Sequence, residues 1–172
     1  TMGLMDVKTV RAHTKAMLDV HLMIEHPANK VDWFLQAGAD LIYIHPEAEP
    51  QVMKTLMYIR AQGKLAGLAI NPDTSVSTIK ELLPHCDYIL IMSVFPGFAG
   101  QSFIQSIDAK IRELISRKQE YGYRIVLDGA CSAEVIQRYH ALGVDGFVLG
   151  TSALFQGEGS YADNMKRLRS LQ

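Results

Sequence analysis

The sequence predicts an α/β protein built on a parallel sheet, and two observations predict it. Short runs rich in Val, Ile and Leu alternate regularly with longer segments of helical periodicity, the pattern of repeated βαβ units. Most of those runs are also nearly continuous hydrophobe rather than strictly alternating, which is what strands covered on both faces require. The first element, Asp6 to His13, reads as a helix ahead of any strand, so the chain begins in mid-repeat. Strands are then expected over Leu18 to Ile24, Asp40 to His45, Leu65 to Asn71, Tyr88 to Val94, Arg124 to Asp128 and Gly146 to Gly150. Helices are expected over Asn29 to Ala37, Glu49 to Gln62, Ser75 to Leu83, Phe103 to Glu120, Ser132 to Leu142 and Tyr161 to Leu171. In the Phe103 segment, Phe103, Ile107, Ile111 and Leu114 recur at three- and four-residue spacing and form a stripe suited to packing on a sheet. Three helices run into Gly38, Gly63 and Gly143, residues able to take the left-handed conformation of a helix C-terminus.

Six units could close into a barrel or lie open as a doubly wound sheet, and periodicity leaves the two undecided. The 172 residues suffice for one core, and no linker divides them, so one domain spanning 1–172 is expected. A net charge of -1 with scattered Lys and Arg leaves no electrostatic footprint for nucleic acid or an anionic membrane. No apolar stretch is long enough to span a bilayer and no secretory signal opens the chain, so a cytoplasmic protein with a small-molecule partner is expected. Cys86 and Cys131 form no C-x-x-C pair and read as small buried hydrophobes.

Chemistry-bearing residues collect at the C-terminal ends of the expected strands, where barrels of this class place their sites. Gly97 and Gly100 in the run Pro96 to Gln101, Gly129, and Gly150-Thr151-Ser152 form three glycine turns. Such turns can present backbone N–H groups to a phosphate without a Cβ in the way. His21 and Asp128 supply an imidazole and a carboxylate, a donor pair suited to zinc, manganese or iron(II); a hydrogen-bonded strand-end role is the alternative for each. His45 could form a pocket wall. Met23 and Met92 read as core methionines near the strand ends, and Trp33 as core or interface. His13, His26, His85 and His140 read as solvated or capping residues.

Together, Asp19-Val20-His21-Leu22-Met23, the run Met92 to Phe103, Asp128-Gly129 and Gly150 to Phe155 resemble the ribulose-phosphate 3-epimerase family. His45-Pro46-Glu47, Phe98-Ala99-Gly100 and Asp128 to Cys131 look nearer to its allulose-6-phosphate 3-epimerase branch. The resemblance implies a (β/α)8 TIM barrel of the phosphate-binding type, with the first two strands absent from this chain. It implies a divalent metal held by two histidines and two aspartates, of which His21 and Asp128 match two positions. The two aspartates would serve as acid and base on opposite faces of the substrate, Asp128 being one. Gly97, Gly100, Gly129, Gly150, Thr151 and Ser152 match phosphate-binding positions, and Met23 and Met92 match methionines on the floor of the site.

The family's other histidine and aspartate lie in an H-x-D-x-M-D-G-x-F-V-P-N type segment that has no counterpart in these 172 residues. The chain is therefore expected to lack N-terminal residues, as a Thr1 start also suggests. Phe95 stands where the family usually has a polar residue, and Val126 where it often has glutamate. The implied reaction is metal-dependent 3-epimerisation of a ketose phosphate through an enediolate, by a homo-oligomeric enzyme. The alternative is a non-catalytic phosphosugar-binding barrel, or a fragment that completes its exposed sheet edge with a partner chain. A decarboxylase of the related barrel group would need a D-x-K-x-x-D cluster, and none is present.

Overall fold

A computed structural model describes residues 2–155 and 159–171. All six expected strands are present, as β1 (Asp19–Leu22), β2 (Leu41–Ile44), β3 (Leu65–Ile70), β4 (Tyr88–Met92), β5 (Arg124–Asp128) and β6 (Gly146–Val148). The helices are α1 (Leu4–His13), α2 (Val31–Gln36), α3 (Val52–Ala61), α4 (Val76–Ile79), α5 (Asp108–Tyr121), α6 (Ala133–Leu142) and α7 (Tyr161–Arg169). The described residues group into two compact units. One runs through Ala69 and includes Ile79–Tyr88; the other holds Ile70–Thr78 and everything from Ile89 onward.

In the first unit β1, β2 and β3 pair in parallel, with His21 opposite Tyr43 and Tyr43 opposite Gly67. All four residues of β2 are buried, and β3 is buried from Ala66 to Ile70, which explains why both runs are continuous hydrophobe. The buried Tyr43 ring lies so close over Gly67 that a Cβ there would come within 2.2 Å of Tyr43 Cδ1. In the second unit β5 and β6 pair in parallel, with Asp128 opposite Val148. The end of β4 joins β5 through Ser93, whose N–H donates to the Asp128 carbonyl at 2.8 Å.

One device recurs at the opposite, N-terminal ends of the strands. The residue just before β2, β4 and β6 is an aspartate each time: Asp40, Asp87 and Asp145. Their carboxylates accept the N–H of Leu18 at 3.0 Å, of Ala66 at 2.8 Å and of Ile125 at 2.7 Å. Their own N–H groups donate to the carbonyls of Leu18, Ala66 and Ile125. Each aspartate thus clasps the start of the preceding strand at two points, satisfying a donor the parallel ladder does not reach. Each also meets a base: Arg11 and Lys64 at Asp40, Arg60 at Asp87, Lys118 at Asp145.

At Asp40 the Leu18 N–H, Lys64 and Arg11 outweigh burial and hold the carboxyl down at about 2. The sign follows from linkage: a depressed carboxylate contributes stability above its unfolded value, and that contribution is lost as pH falls towards about 2. Asp40→Asn is expected to cost about 1–2 kcal/mol at neutral pH, since charge-assisted bonds of a partly exposed group are discounted by solvent. Chemical denaturation from pH 7 down to pH 3 should show the gap to wild type narrowing below about pH 4.

Several expectations need correction. The Phe103 segment becomes helical only at Asp108, after a 3-10 turn over Gln105–Ile107. Ile104 is extended instead and donates its N–H to the Ser93 carbonyl, while the Phe103 ring stacks on Tyr139 at 5.4 Å. Apolar spacing therefore ran past the true helix start. The helix expected over Ser75 to Leu83 is α4 followed by 3-10 turns over Lys80–His85, where Pro84 contributes no N–H to an α-helical ladder. Trp33 is not core: it is 49 % exposed, with Lys30 Nζ 3.7 Å above its ring. Met23 is likewise exposed at the end of β1, whereas Met92 is buried. Cys86 and Cys131 are buried free thiols, each pushed up to about 12 by desolvation, as inert core residues should be.

Candidate active site

The sequence-predicted residues fall into two groups, one in each compact unit. In the second unit the β5 strand delivers Asp128, half-buried, to its C-terminal end. Its main chain is held from β4. Ser93 has no solvent exposure, and its Oγ donates to the Asp128 carbonyl at 3.0 Å and, through a very short contact, to the Gly129 carbonyl. The Asp128 backbone is thus fixed by a residue outside its own strand. The turn that follows is unusual. Gly129 (φ +107°) and Ala130 (φ +46°) are successive left-handed residues. A non-glycine in that region is strained and persists where the surroundings impose it. The turn then enters α6, whose N-cap Ser132 accepts the N–H of Val135.

The loop after β4 carries Gly97 and Gly100, both with positive φ and both with open space where a Cβ would stand. Its shape is held by Gln101, whose side-chain amide donates to the Phe95 carbonyl at 2.7 Å and the Phe98 carbonyl at 2.9 Å. Phe95 and Phe98 are exposed, the latter at 72 %. After β6, the Gly150 carbonyl accepts the N–H groups of Ala153, Leu154 and Phe155, closing a compact turn on which Thr151 is exposed and Ser152 half-buried. All six residues expected to bind phosphate therefore lie in loops at C-terminal strand ends.

In the first unit β1 delivers His21, and the residue after β2 is His45, only 5 % exposed. Parallel pairing of β1 with β2 brings the two together: their Nε2 atoms are 2.7 Å apart, with ring centroids 4.9 Å apart and ring planes 25° apart. The Tyr43 ring meets His21 edge-on at 6.2 Å. Glu47 Oε2 lies 3.5 Å from the buried Nδ1 of His45, within ion-pair reach though outside hydrogen-bond geometry. Glu49, also buried, caps the loop by accepting the N–H groups of Ala28 and Gln51 at 3.0 Å each.

The imidazole of His21, in the first unit, and the carboxylate of Asp128, in the second, are each a donor type that zinc, manganese or iron(II) accepts. Among the described residues, no group of three or more His, Cys, Asp or Glu is arranged to hold a metal ion. Nor is any helix among them long and apolar enough to cross a membrane. Sequence reasoning missed Ser93, Gln101 and Glu47 as supports of the site. Ser93 and Gln101 stood inside the motif run, but nothing local marks one as wholly buried or the other as a loop clamp.

Solved structures place this architecture among the TIM-barrel folds of the phosphate-binding type. A 3-keto-L-gulonate-6-phosphate decarboxylase from Vibrio cholerae superposes with a TM-score of 0.74 at 16 % identity, over 99 % of this chain and 80 % of that one. A 3-hexulose-6-phosphate synthase superposes at 0.71 and 17 % identity, over 98 % of this chain and 80 % of the other. At such identities the likeness shows the fold alone. Sequence is more specific. Residues 1–155 match the model of the ribulose-phosphate 3 epimerase family, and the chain belongs to that family. It is 41 % identical to a ribulose-phosphate 3-epimerase of Synechocystis over 99 % of its own length and 75 % of that protein's. With the Escherichia coli enzyme of that name the identity is 40 %, over 99 % and 76 %. The Bacillus subtilis one gives 37 % over 92 % and 74 %.

Proposed function

We propose that this chain serves 3-epimerisation of a ketose phosphate: D-ribulose 5-phosphate to D-xylulose 5-phosphate, or D-allulose 6-phosphate to D-fructose 6-phosphate. The observation that carries the reading is Asp128, set at the end of β5 by Ser93 beside a left-handed glycine, in a chain of this family. The C3 hydrogen of a ketose phosphate is adjacent to the carbonyl and can be removed as a proton. Asp128 acts as the base on one face of C3, and inversion requires a second group on the other.

The loops bearing Gly97, Gly100, Gly129 and Gly150-Thr151-Ser152 hold the phosphate through backbone N–H groups and hydroxyls. That handle fixes C3 against the carboxylate and removes the entropy cost of finding it. Met23, Met92 and His45 line the pocket, and Phe95 makes its mouth more apolar. His21 and Asp128 would hold a divalent cation, which when bound supplies Lewis-acid stabilisation of negative charge on the substrate. A homo-oligomer in the cytoplasm is the expected setting.

The test is conversion of both substrates, side by side, with and without added Mn²⁺ or Zn²⁺. The proposal predicts exchange of the C3 proton that the cation stimulates, with preference for one of the two sugars, and slow or no inversion while these 172 residues offer no second group opposite Asp128. Tight phosphosugar binding with no exchange or inversion at C3 would instead establish a non-catalytic barrel.

A further inference from the structure

We infer that the outer face of α3 is the contact surface between two copies of this chain, paired about a two-fold axis. This rests on the expectation of a homo-oligomer, not on the catalytic reading, and gives that assembly its surface. Along α3 the residues Met53, Lys54, Met57 and Tyr58 share one side at three- and four-residue spacing, while Thr55, Leu56 and Ile59 turn inward. Met53, Met57 and Tyr58 are each more than a third exposed, as is Trp33 beside Asp32 on α2. Trp, Tyr and Met are the residue types that concentrate where proteins meet.

The surface is shaped to receive itself. Lys54 and Met57 form a ridge, because both line the grooves on either side of it. Towards the 3-10 turns over Lys80–His85 lies a groove of about 590 Å³ walled by Pro50, Met53 and Leu82. Towards α2 lies one of about 600 Å³ walled by Ala28, Asp32 and Tyr58. Equal grooves flanking one ridge let an antiparallel copy seat its own ridge, with the same patch used on both partners.

Charge selects which groove is filled. Lys54 has no ion pair among the described residues, and the groove towards α2 holds the Asp32 carboxylate, whose Oδ1 accepts the Tyr58 hydroxyl at 2.6 Å. A two-fold axis brings Lys54 of each protomer to Asp32 of the other, so the pair forms twice. Area agrees as well. Four large side chains of about 200 Å² each, exposed to this degree, present roughly 350 Å² of mostly apolar surface. That is close to the apolar share, roughly 450 Å², of one side of a standard interface.

Sedimentation velocity over a dilution series, with a thermal melt of each variant, tests the contact without substrate, so its outcome is separate from that of C3 exchange. The wild type should be a dimer. Met57→Glu sets a charge at the centre of the apolar surface and should leave a monomer with an unchanged melt, since the side chain is exposed. Lys54→Glu and Asp32→Lys should each weaken dimerisation about 10–100-fold by placing like charges face to face, and the double variant should return to within a few-fold of wild type. Asp32→Lys also loses the Tyr58 bond, so Met57→Glu and Lys54→Glu decide the matter if its melt falls. A wild type that stays monomeric at every concentration would overturn the inference and leave the grooves to a partner of another kind. A dimer that Met57→Glu does not dissociate, or a folded double variant no tighter than Lys54→Glu alone, would overturn it as well.

Discussion

Asp128→Asn is expected to lower the rate of C3 proton transfer by about 10²–10⁴-fold, the range for loss of a positioned general base. An asparagine is close to isosteric but cannot take up the proton. The fold should survive, because Ser93 anchors this position through the main-chain carbonyl of residue 128, which the substitution leaves in place. C3 proton-exchange assays should therefore show the loss with an unchanged thermal melt. A variant that melts far below wild type would show that the carboxylate holds the β5 end together instead.

Gly129→Ala should do the opposite, striking stability first. A Cβ at this position would stand 2.5 Å from Val94 Cγ2 and 3.1 Å from Ser93 Oγ, and the backbone sits at φ +107°. Overpacking against a branched, buried side chain costs about 1–3 kcal/mol, and forcing an L-residue into this conformation adds a comparable amount. The expected total is about 2–4 kcal/mol, read as a shift in denaturation midpoint with an unchanged slope. Val94 is the neighbour that must give way, and Ser93 beside it, 3.1 Å from that Cβ, must shift slightly, which loosens its bond to the Asp128 carbonyl and should lower residual activity as well.

Much of this architecture was legible because parallel strands buried on both faces write themselves as hydrophobic runs: Leu41–Ile44 and Leu65–Ile70 had no polar interruption to blur them. Helix starts were less legible. Phe103 fits the helical stripe of α5 yet belongs to an extended segment bonded to Ser93 and stacked on Tyr139, a tertiary preference that overrides local spacing. The aspartate clasps could not be read at all. Each joins residues some twenty positions apart, and only strand pairing brings Asp40 to Leu18, Asp87 to Ala66 and Asp145 to Ile125.

The same holds within the site. His21, Asp128 and the glycine turns stood out by residue type at strand ends. The pairing of His21 with His45 depends on the register of β1 against β2, and the support of Asp128 by Ser93 on the end of β4 reaching β5. Residues that carry chemistry are recognisable by kind, whereas residues that hold them emerge from the packing.

Deuterium exchange at C3 of ribulose 5-phosphate or allulose 6-phosphate, followed by NMR in D₂O with Mn²⁺ present, tests the account most directly, because it reads a single base without requiring inversion. The account predicts loss of the C3 proton signal at a rate far above background, abolished in Asp128→Asn. Exchange that proceeds equally in the variant, or no exchange on either sugar phosphate, would contradict it.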